Sequence, residues 1–462
     1  MCCGAGFGPR SPEIGKLLRL TILNLAQPAN RQTGIKAVAT TLNSSRRAFL
    51  TSVGALAVGS VASVAFAQSQ DPIGDVLSSP SRGNWDDQFD AQVSAKTSEA
   101  KVSTTTPIFS LETVNNTEQA IGQYQSIVSQ GGWPQVPDTK KLQLGVSDAD
   151  VEVLRKRLMV SGDLSPDAGI SPSFDTYVDA ALKRFQRRHG IPADGVTGKY
   201  TYKAMNVSAQ VRLGQLQTNL QRFQQYGTDF GQRYIVVNIP ATQVEAVENG
   251  RVVLRNKAIV GRIDRPSPIV HSQVSDVTFN PYWNAPESIV RKDIIPLMRK
   301  DPEYLTKNSI RIFGPDGQEI PPSAIDWNTE EAAKYRLRQD PGKINAMASL
   351  KINFPSPEGV YMHDTPSQSL FAKEERFNSS GCVRVQNVRD LVTWILKNTD
   401  GWGRQRFEET IKSGENTPVP VHDPVGVNFQ YITAWSTGPG VVQFRDDIYG
   451  HDGVDELQMT AL

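Results

Sequence analysis

The stretch "GVYMHDTPSQSLFAKEERFNSSGCVRV", residues 359–385, decides how the second half of the chain is read. Its two ends, "GVYMH" and "CVRV", are short β-branched or alternating runs bounded by Gly and Asn, the mark of strands. The polar loop between them is long enough to return the chain to a neighbouring strand. His363 then ends one strand and Cys382, 19 residues later, opens another at the same edge of one sheet. Gly381 permits a tight turn and a close backbone approach, so peptide N–H groups near the thiol can converge on one spot, as in an oxyanion hole. A thiol becomes a nucleophile when a base draws off its proton, and histidine is the side chain that titrates near neutrality. Cys382, His363 and Gly381 are therefore the candidate catalytic residues. Two plainer readings stay open on composition alone: Cys382 as a small buried hydrophobe and His363 as a satisfied core histidine.

The rest of this half also reads with period two. "RYIVVNIP" (233–240), "RVVLRNKAIVG" (251–261), "SDVTFNP" (275–281) and "KINFP" (351–355) predict strands. "LVTWILKN" predicts a helix after Asp390, and "FQYITAW" and "VVQFRDDIYG" predict two last strands. Residues 281–349 interrupt the pattern with a proline-led helix, "YWNAPESIVRKDIIPLMRKDPEYL", and a charged segment poor in strands. An insertion of that length in a sheet domain is more often functional than idle, commonly a lid.

The first half is helical. Residues 108–140 carry one amphipathic helix, stopped at Gly131-Gly132-Trp133-Pro134. Residues 141–207 form a compact unit in which Val151, Leu154 and Leu158, then Val178, Ala181, Leu182 and Phe185, repeat at helical spacing. A connecting helix follows within 208–232, with Leu213, Leu216, Leu220 and Phe223 on one face. The remaining divisions are a catalytic domain at 233–398, holding the insertion, and a C-terminal extension at 399–462 that completes it. Residues 68–107, rich in Ser, Thr, Asp and Gln, read as a flexible linker.

The first 67 residues point to export. Ser45-Arg46-Arg47-Ala48-Phe49-Leu50 is a twin-arginine pattern, followed by an uncharged Ala/Val/Gly run and the cleavage signal Ala65-Phe66-Ala67. The apolar run is too short and glycine-rich for a stable membrane span, so the expected location is the periplasm or cell envelope, reached through the twin-arginine translocon. That segment holds seven of the 49 Lys/Arg and one of the 48 Asp/Glu, leaving 42 basic and 47 acidic residues, a net charge of −5. No nucleic-acid partner is suggested by that balance. Cys2 and Cys3 leave with the same segment, so Cys382 is the one thiol of a mature chain in an oxidising compartment, where cysteines usually pair.

Two resemblances sharpen this. "FDTYVDAALKRFQRRHGIPADGVTGKYTYKAMN" resembles the three-helix peptidoglycan-binding domain, with "FQRRHG", "DGVTG" and Thr201 as its specific marks. "YMHDTPS" followed by "RFNSSGCVRV" resembles the L,D-transpeptidase catalytic signature, and "FNPYWNAPESIVRKDIIP", "YITAW" and "QFRDDIYG" extend the likeness to its larger Gram-negative branch. The resemblance implies a multi-domain α+β protein: a β-rich catalytic domain with an inserted helical lid, plus the small three-helix domain. It implies a Cys382 thiolate that attacks a tetrapeptide stem of peptidoglycan, releases D-alanine and passes the acyl group to an amine as a 3-3 cross-link.

Position 380 is Ser where many members have His, which leaves His363 to act alone or with a backbone carbonyl. Arg384 shares the side-chain parity of Cys382, and the salt bridge to a substrate carboxylate stands beside a structural ion pair with Asp364 or Glu375. Tyr361 shares parity with His363, and Ser380 adjoins the thiol, so Arg384, Tyr361 and Ser380 are the candidate substrate contacts. Rival readings are an L,D-carboxypeptidase or endopeptidase using the same thiol, and a non-catalytic peptidoglycan-binding envelope protein. A zinc peptidase lacks any close ligand pair such as H-x-H. No metal and no cofactor are implied.

Overall fold

The computed structural model describes residues 104–453, all within one compact unit. The export signal and most of the expected linker lie outside the described residues.

Five helices come first. Helix α1 (Leu111–Ser129) is capped by Ser110, whose Oγ accepts from the Thr113 amide, and it stops at two glycines with positive φ. Helices α2 (Ala149–Val160), α3 (Thr176–Arg188) and α4 (Lys199–Met205) pack around Leu154, Leu158, Val178, Leu182, Phe185 and Met205. Asp148 caps α2 and Asp175 caps α3. The spacing that predicted three helices places those apolar residues inside, where each contributes about 1.5–3 kcal/mol. Helix α5 (Ala209–Tyr226) packs along α1.

The strands β1 (Arg233–Asn238), β2 (Gln243–Glu248), β3 (Arg251–Gly261), β4 (Val270–Gln273) and β5 (Asp276–Phe279) open the sheet domain. Strand β2 interleaves polar with apolar residues and β4 has three polar residues in succession, so both go beyond the runs legible in sequence. The insertion follows, and it is not wholly helical. Besides helical turns at Glu287–Ile289, Val290–Ile294 and Ile295–Lys300, it holds β6 (Trp283–Asn284), β7 (Ile310–Phe313), β8 (Glu319–Ile320) and β9 (Arg336–Gln339). These form their own antiparallel sheet in the order β6-β9-β7-β8 over a separate core that includes Ile294, Leu305, Ile312 and Leu337. Strands of two to four residues with charges at alternate positions give little sequence signal, which is why a helical insertion is what the residues suggest.

The chain returns through β10 (Leu350–Asn353), β11 (Met362–His363), β12 (Phe377–Ser379) and β13 (Val383–Val385), then helices α6 (Val388–Ile395) and α7 (Arg404–Ser413). The last strands are β14 (Thr417–Pro420), β15 (Gly426–Gln430), β16 (Ala434–Gly438) and β17 (Val441–Phe444). The main sheet runs β14-β5-β10-β11-β13-β3-β2-β1-β15-β4, with β12 also paired to β3. One face buries Val277, Ile352, Met362, Val383 and Val385 beneath α6 and α7. Along β1 to β3 the opposite face is covered too, by Ile108, Phe109 and Phe223 against Tyr234 and Val236, so β1 is buried along its whole length.

The stretch expected as one strand, "FQYITAW", is two. Its first part ends β15 in the main sheet, paired in parallel with β1. The chain then turns at residues 431–433, where the Thr433 amide donates to Asn219 Oδ1 of α5, and β16 pairs with β17 in a separate hairpin against α1 and α5.

Candidate active site

Register decides which side chains meet. Lys351 of β10 pairs with His363 of β11, and His363 pairs with Arg384 of β13. Paired residues on adjacent strands share a face. Lys351, His363 and Arg384 therefore form one row on the face opposite the Met362 and Val383 core. One step toward the strand start, the Val383 amide donates to the Tyr361 carbonyl at 3.1 Å, which sets Tyr361 beside Cys382. Cys382 lies just before β13, two residues ahead of Arg384, the residue paired with His363.

His363 is buried, and its Nδ1 donates to the Asp364 carbonyl at 2.5 Å. That bond fixes the tautomer and leaves Nε2 as the basic nitrogen. The carbonyl supplies the orienting group that a second histidine or a carboxylate would otherwise give. The Asp364 carboxylate is occupied elsewhere, accepting from Ser349 Oγ at 2.7 Å and from the Thr365 amide at 2.8 Å.

Gly381 has φ +108°, a conformation that a side chain would strain. Its carbonyl accepts from Ser267 Oγ at 2.7 Å, and Ser267 Oγ in turn accepts from the Gly261 amide at 2.9 Å. The end of β3 thus braces the thiol loop. The Gly381 amide, expected to face an oxyanion, donates instead to Ser379 Oγ at 3.2 Å. Among the described residues the Cys382 amide has no backbone acceptor. Ser380 is also turned from the row: its Oγ accepts from Arg265, which makes a bidentate pair with Asp293 of the insertion at 2.5 and 2.9 Å. Arg265 so ties the thiol loop to the insertion.

Arg384 forms neither of the structural ion pairs weighed from sequence. Asp364 is held as described, and Glu375 accepts from Tyr200 Oη at 2.9 Å. The Arg384 Nε is buried with no hydrogen-bond partner, and no carboxylate bears on the guanidinium. Lys351 lies with Nζ 4.3 Å from the centre of the Tyr361 ring. Tyr361 packs edge-on against the His363 ring at 5.5 Å, and its hydroxyl is within polar reach of the Cys382 thiol and the Trp283 indole. Lys351, Trp283, Arg265 and Ser267 escape sequence reasoning. The one visible signal is a lysine in the alternating strand "KINFP", on the face away from the core.

Burial pushes the Cys382 thiol up from its ordinary value, and polar contact with Tyr361 and the charges of Lys351 and Arg384 offset only part of that. Burial, then the Arg384 charge, hold His363 down at about 3. Both shifts favour the neutral forms. At neutral pH the resting pair is a thiol and an imidazole rather than a thiolate and an imidazolium. Alkylation by iodoacetamide should therefore accelerate with pH to beyond about 8.5, the ordinary cysteine value, with no plateau below it; a rate already flat at pH 6–7 would show a preformed ion pair.

Among the described residues no group of three or more His, Cys, Asp or Glu is placed to hold a metal, and no helix is long and apolar enough to cross a membrane.

Comparison with known proteins bears on this geometry. Residues 232–421 match the L,D-transpeptidase catalytic domain, and residues 147–205 match the peptidoglycan binding domain. A Haemophilus influenzae protein, provisionally named an L,D-transpeptidase, is 36% identical over 219 residues, 47% of this chain and 44% of that protein. The N-acetylmuramoyl-L-alanine amidase CwlL of Bacillus licheniformis is 36% identical over 64 residues, 14% of this chain and 18% of its own. The chain thus spans less than half the length of the curated relatives it matches. An L,D-transpeptidase crystal structure from Stackebrandtia nassauensis aligns over 64% of this chain and 96% of its own, at 14% identity and a TM-score of 0.24.

Proposed function

We propose that this chain, which carries an L,D-transpeptidase catalytic domain beside a peptidoglycan-binding domain, is a cysteine acyltransferase that joins peptidoglycan stem peptides through 3-3 cross-links in the periplasm. The observation that carries the reading is the row Lys351–His363–Arg384 on one sheet face beside Cys382, with the guanidinium unpaired.

In this reading a donor tetrapeptide places the carbonyl of its diaminopimelate residue against Cys382 Sγ. His363 Nε2 takes the thiol proton as sulfur attacks, and the Cys382 amide stabilises the developing oxyanion, worth roughly 3 kcal/mol for one such donor. The carbon–nitrogen bond breaks, His363 returns the proton to the leaving amine, and D-alanine departs from a thioester. An amine of a second stem then attacks the thioester, His363 accepts its proton, and the carbon–sulfur bond breaks to regenerate the thiol.

Neutral resting groups suit this cycle. An imidazolium at position 363 is opposed by Arg384 and Lys351. A substrate carboxylate seated on Arg384 offsets that opposition, so the base strengthens when the substrate is in place. The insertion brings Trp283 to Tyr361 and Asp293 to Arg265, and in this reading it is a lid that keeps water from the thioester and favours transfer over hydrolysis. Twin-arginine export would deliver the folded enzyme to its substrate.

Incubation with a disaccharide-tetrapeptide tests the reading. The expected products are 3-3 linked dimers and D-alanine in equal amounts, both absent with Cys382→Ala. D-alanine without dimers would identify a carboxypeptidase. Neither product, with wall binding intact, would leave a non-catalytic wall binder.

A further inference from the structure

Outside the thiol site a cavity of about 370 Å³ lies between the three-helix domain and the catalytic sheet, a size suited to a small ligand. It shares no lining residue with the row described above. One wall comes from the three-helix domain, including His189, Tyr200 and Lys203, and the other from β3, the segment before β12 and the C-terminal hairpin. The two domains meet there without slack. Gly190 has φ +70°, and a Cβ on it would lie 2.6 Å from the Arg445 guanidinium, so that arginine is pressed against the turn after α3.

The cavity is lined by charges of both signs. Lys257, Arg376 and Arg445 are among its cations, beside Lys203 and Arg212. Lys257 reaches only the Phe371 carbonyl, at 3.4 Å, and Arg376 donates to Thr242 and to the Lys373 carbonyl while its Nε is buried without a partner. Arg445 is held by the Arg188 and Phe444 carbonyls. None of these three makes a hydrogen bond to a carboxylate. The charge of Arg376 opposes that of Lys257 and that of Arg445, and the Asp446 carboxylate offsets part of this at Arg445. Of the acids in the lining, Asp446 pairs with Lys203 at 2.7 Å, Glu375 is turned to Tyr200, and Glu374 adjoins it. Glu374 is surrounded by burial and by the acids Asp194 and Glu375, and its carboxyl is raised rather than lowered. Three cations without a carboxylate bond in one cavity leave positive charge for an anionic group to meet.

We propose that this cavity binds a zwitterionic amino-acid end group, its carboxylate on Lys257, Arg376 and Arg445 and its ammonium toward Glu374 and Glu375. Resting on the function proposed above, the stem-peptide unit with that chemistry is the free end of diaminopimelate, which carries an amine and a carboxylate on one carbon. The cavity then docks a stem away from the thiol and holds the strand across both domains.

The test uses the mature chain with Cys382 first acylated by a carbapenem, which blocks the catalytic cleft, and disaccharide-tetrapeptide as the probe. Binding to the acyl-enzyme is expected. It weakens at least tenfold in Lys257→Gln/Arg376→Gln and by a similar factor when the diaminopimelate carboxylate is amidated, and free meso-diaminopimelate competes with it. Lys257 is exposed, so Lys257→Gln alone leaves the fold intact and should weaken binding threefold or more. No binding to the acyl-enzyme, or equal binding by Lys257→Gln and by the amidated probe, overturns the proposal. Failure of the carbapenem to acylate Cys382 would instead count against the catalytic reading, and the probe is then titrated against the unmodified chain.

Discussion

Substituting His363 by glutamine should slow acylation of Cys382 by about 10²–10⁴-fold, the range for loss of a positioned general base. The geometry makes the expectation sharp. No second histidine adjoins the thiol, because position 380 is a serine whose hydroxyl is bonded to Arg265. The imidazole is oriented by a main-chain carbonyl that the substitution does not remove. Glutamine fills a similar volume but has no basic nitrogen, so loss of rate with an unchanged melting temperature isolates proton transfer. Raising the pH should recover part of the rate, as hydroxide takes over ionisation of the thiol. A loss below tenfold would assign the base to another group, and Tyr361 would be the next to test.

The second large effect concerns Arg384. Replacement by glutamine should lower kcat/KM for the tetrapeptide donor by about 30- to 1,000-fold, the consequence of removing one partner of a desolvated charge pair at about 2–4 kcal/mol. The guanidinium meets no carboxylate within the chain, so an internal salt bridge is not what the substitution breaks. The protein should keep or gain thermal stability, since a half-buried cation without a partner costs free energy to fold. Iodoacetamide, which is neutral and small, should reach the thiol of this variant with a far smaller change in rate. A fall in melting temperature of several degrees with no change in kcat/KM would make Arg384 structural.

Part of this was legible from the chain alone. The helices α1 to α5 follow apolar spacing and cap residues, and β3 runs over the eleven residues that read as a strand. The strand pair around Cys382 and His363 is announced by short β-branched runs and a glycine. What the sequence conceals are partners set by register between distant segments. Lys351 reaches the site because β10 pairs with β11, and Ser267 because the chain turns after β3 against the thiol loop. Neither follows from local pattern. The Gly381 amide illustrates the converse: a glycine beside a thiol suggests an oxyanion donor, yet the neighbouring Ser379 hydroxyl accepts its hydrogen bond. Helix α7, with one buried residue, Phe407, offers too thin an apolar stripe to be recognised without its neighbours.

Intact-mass spectrometry of the protein after exposure to a carbapenem, followed by peptide mapping, decides whether Cys382 is the nucleophile. One adduct per chain is expected, located on the peptide that contains Cys382 and absent from Cys382→Ala. An unmodified Cys382 in a folded protein, or an adduct of equal yield in the alanine variant, would contradict it.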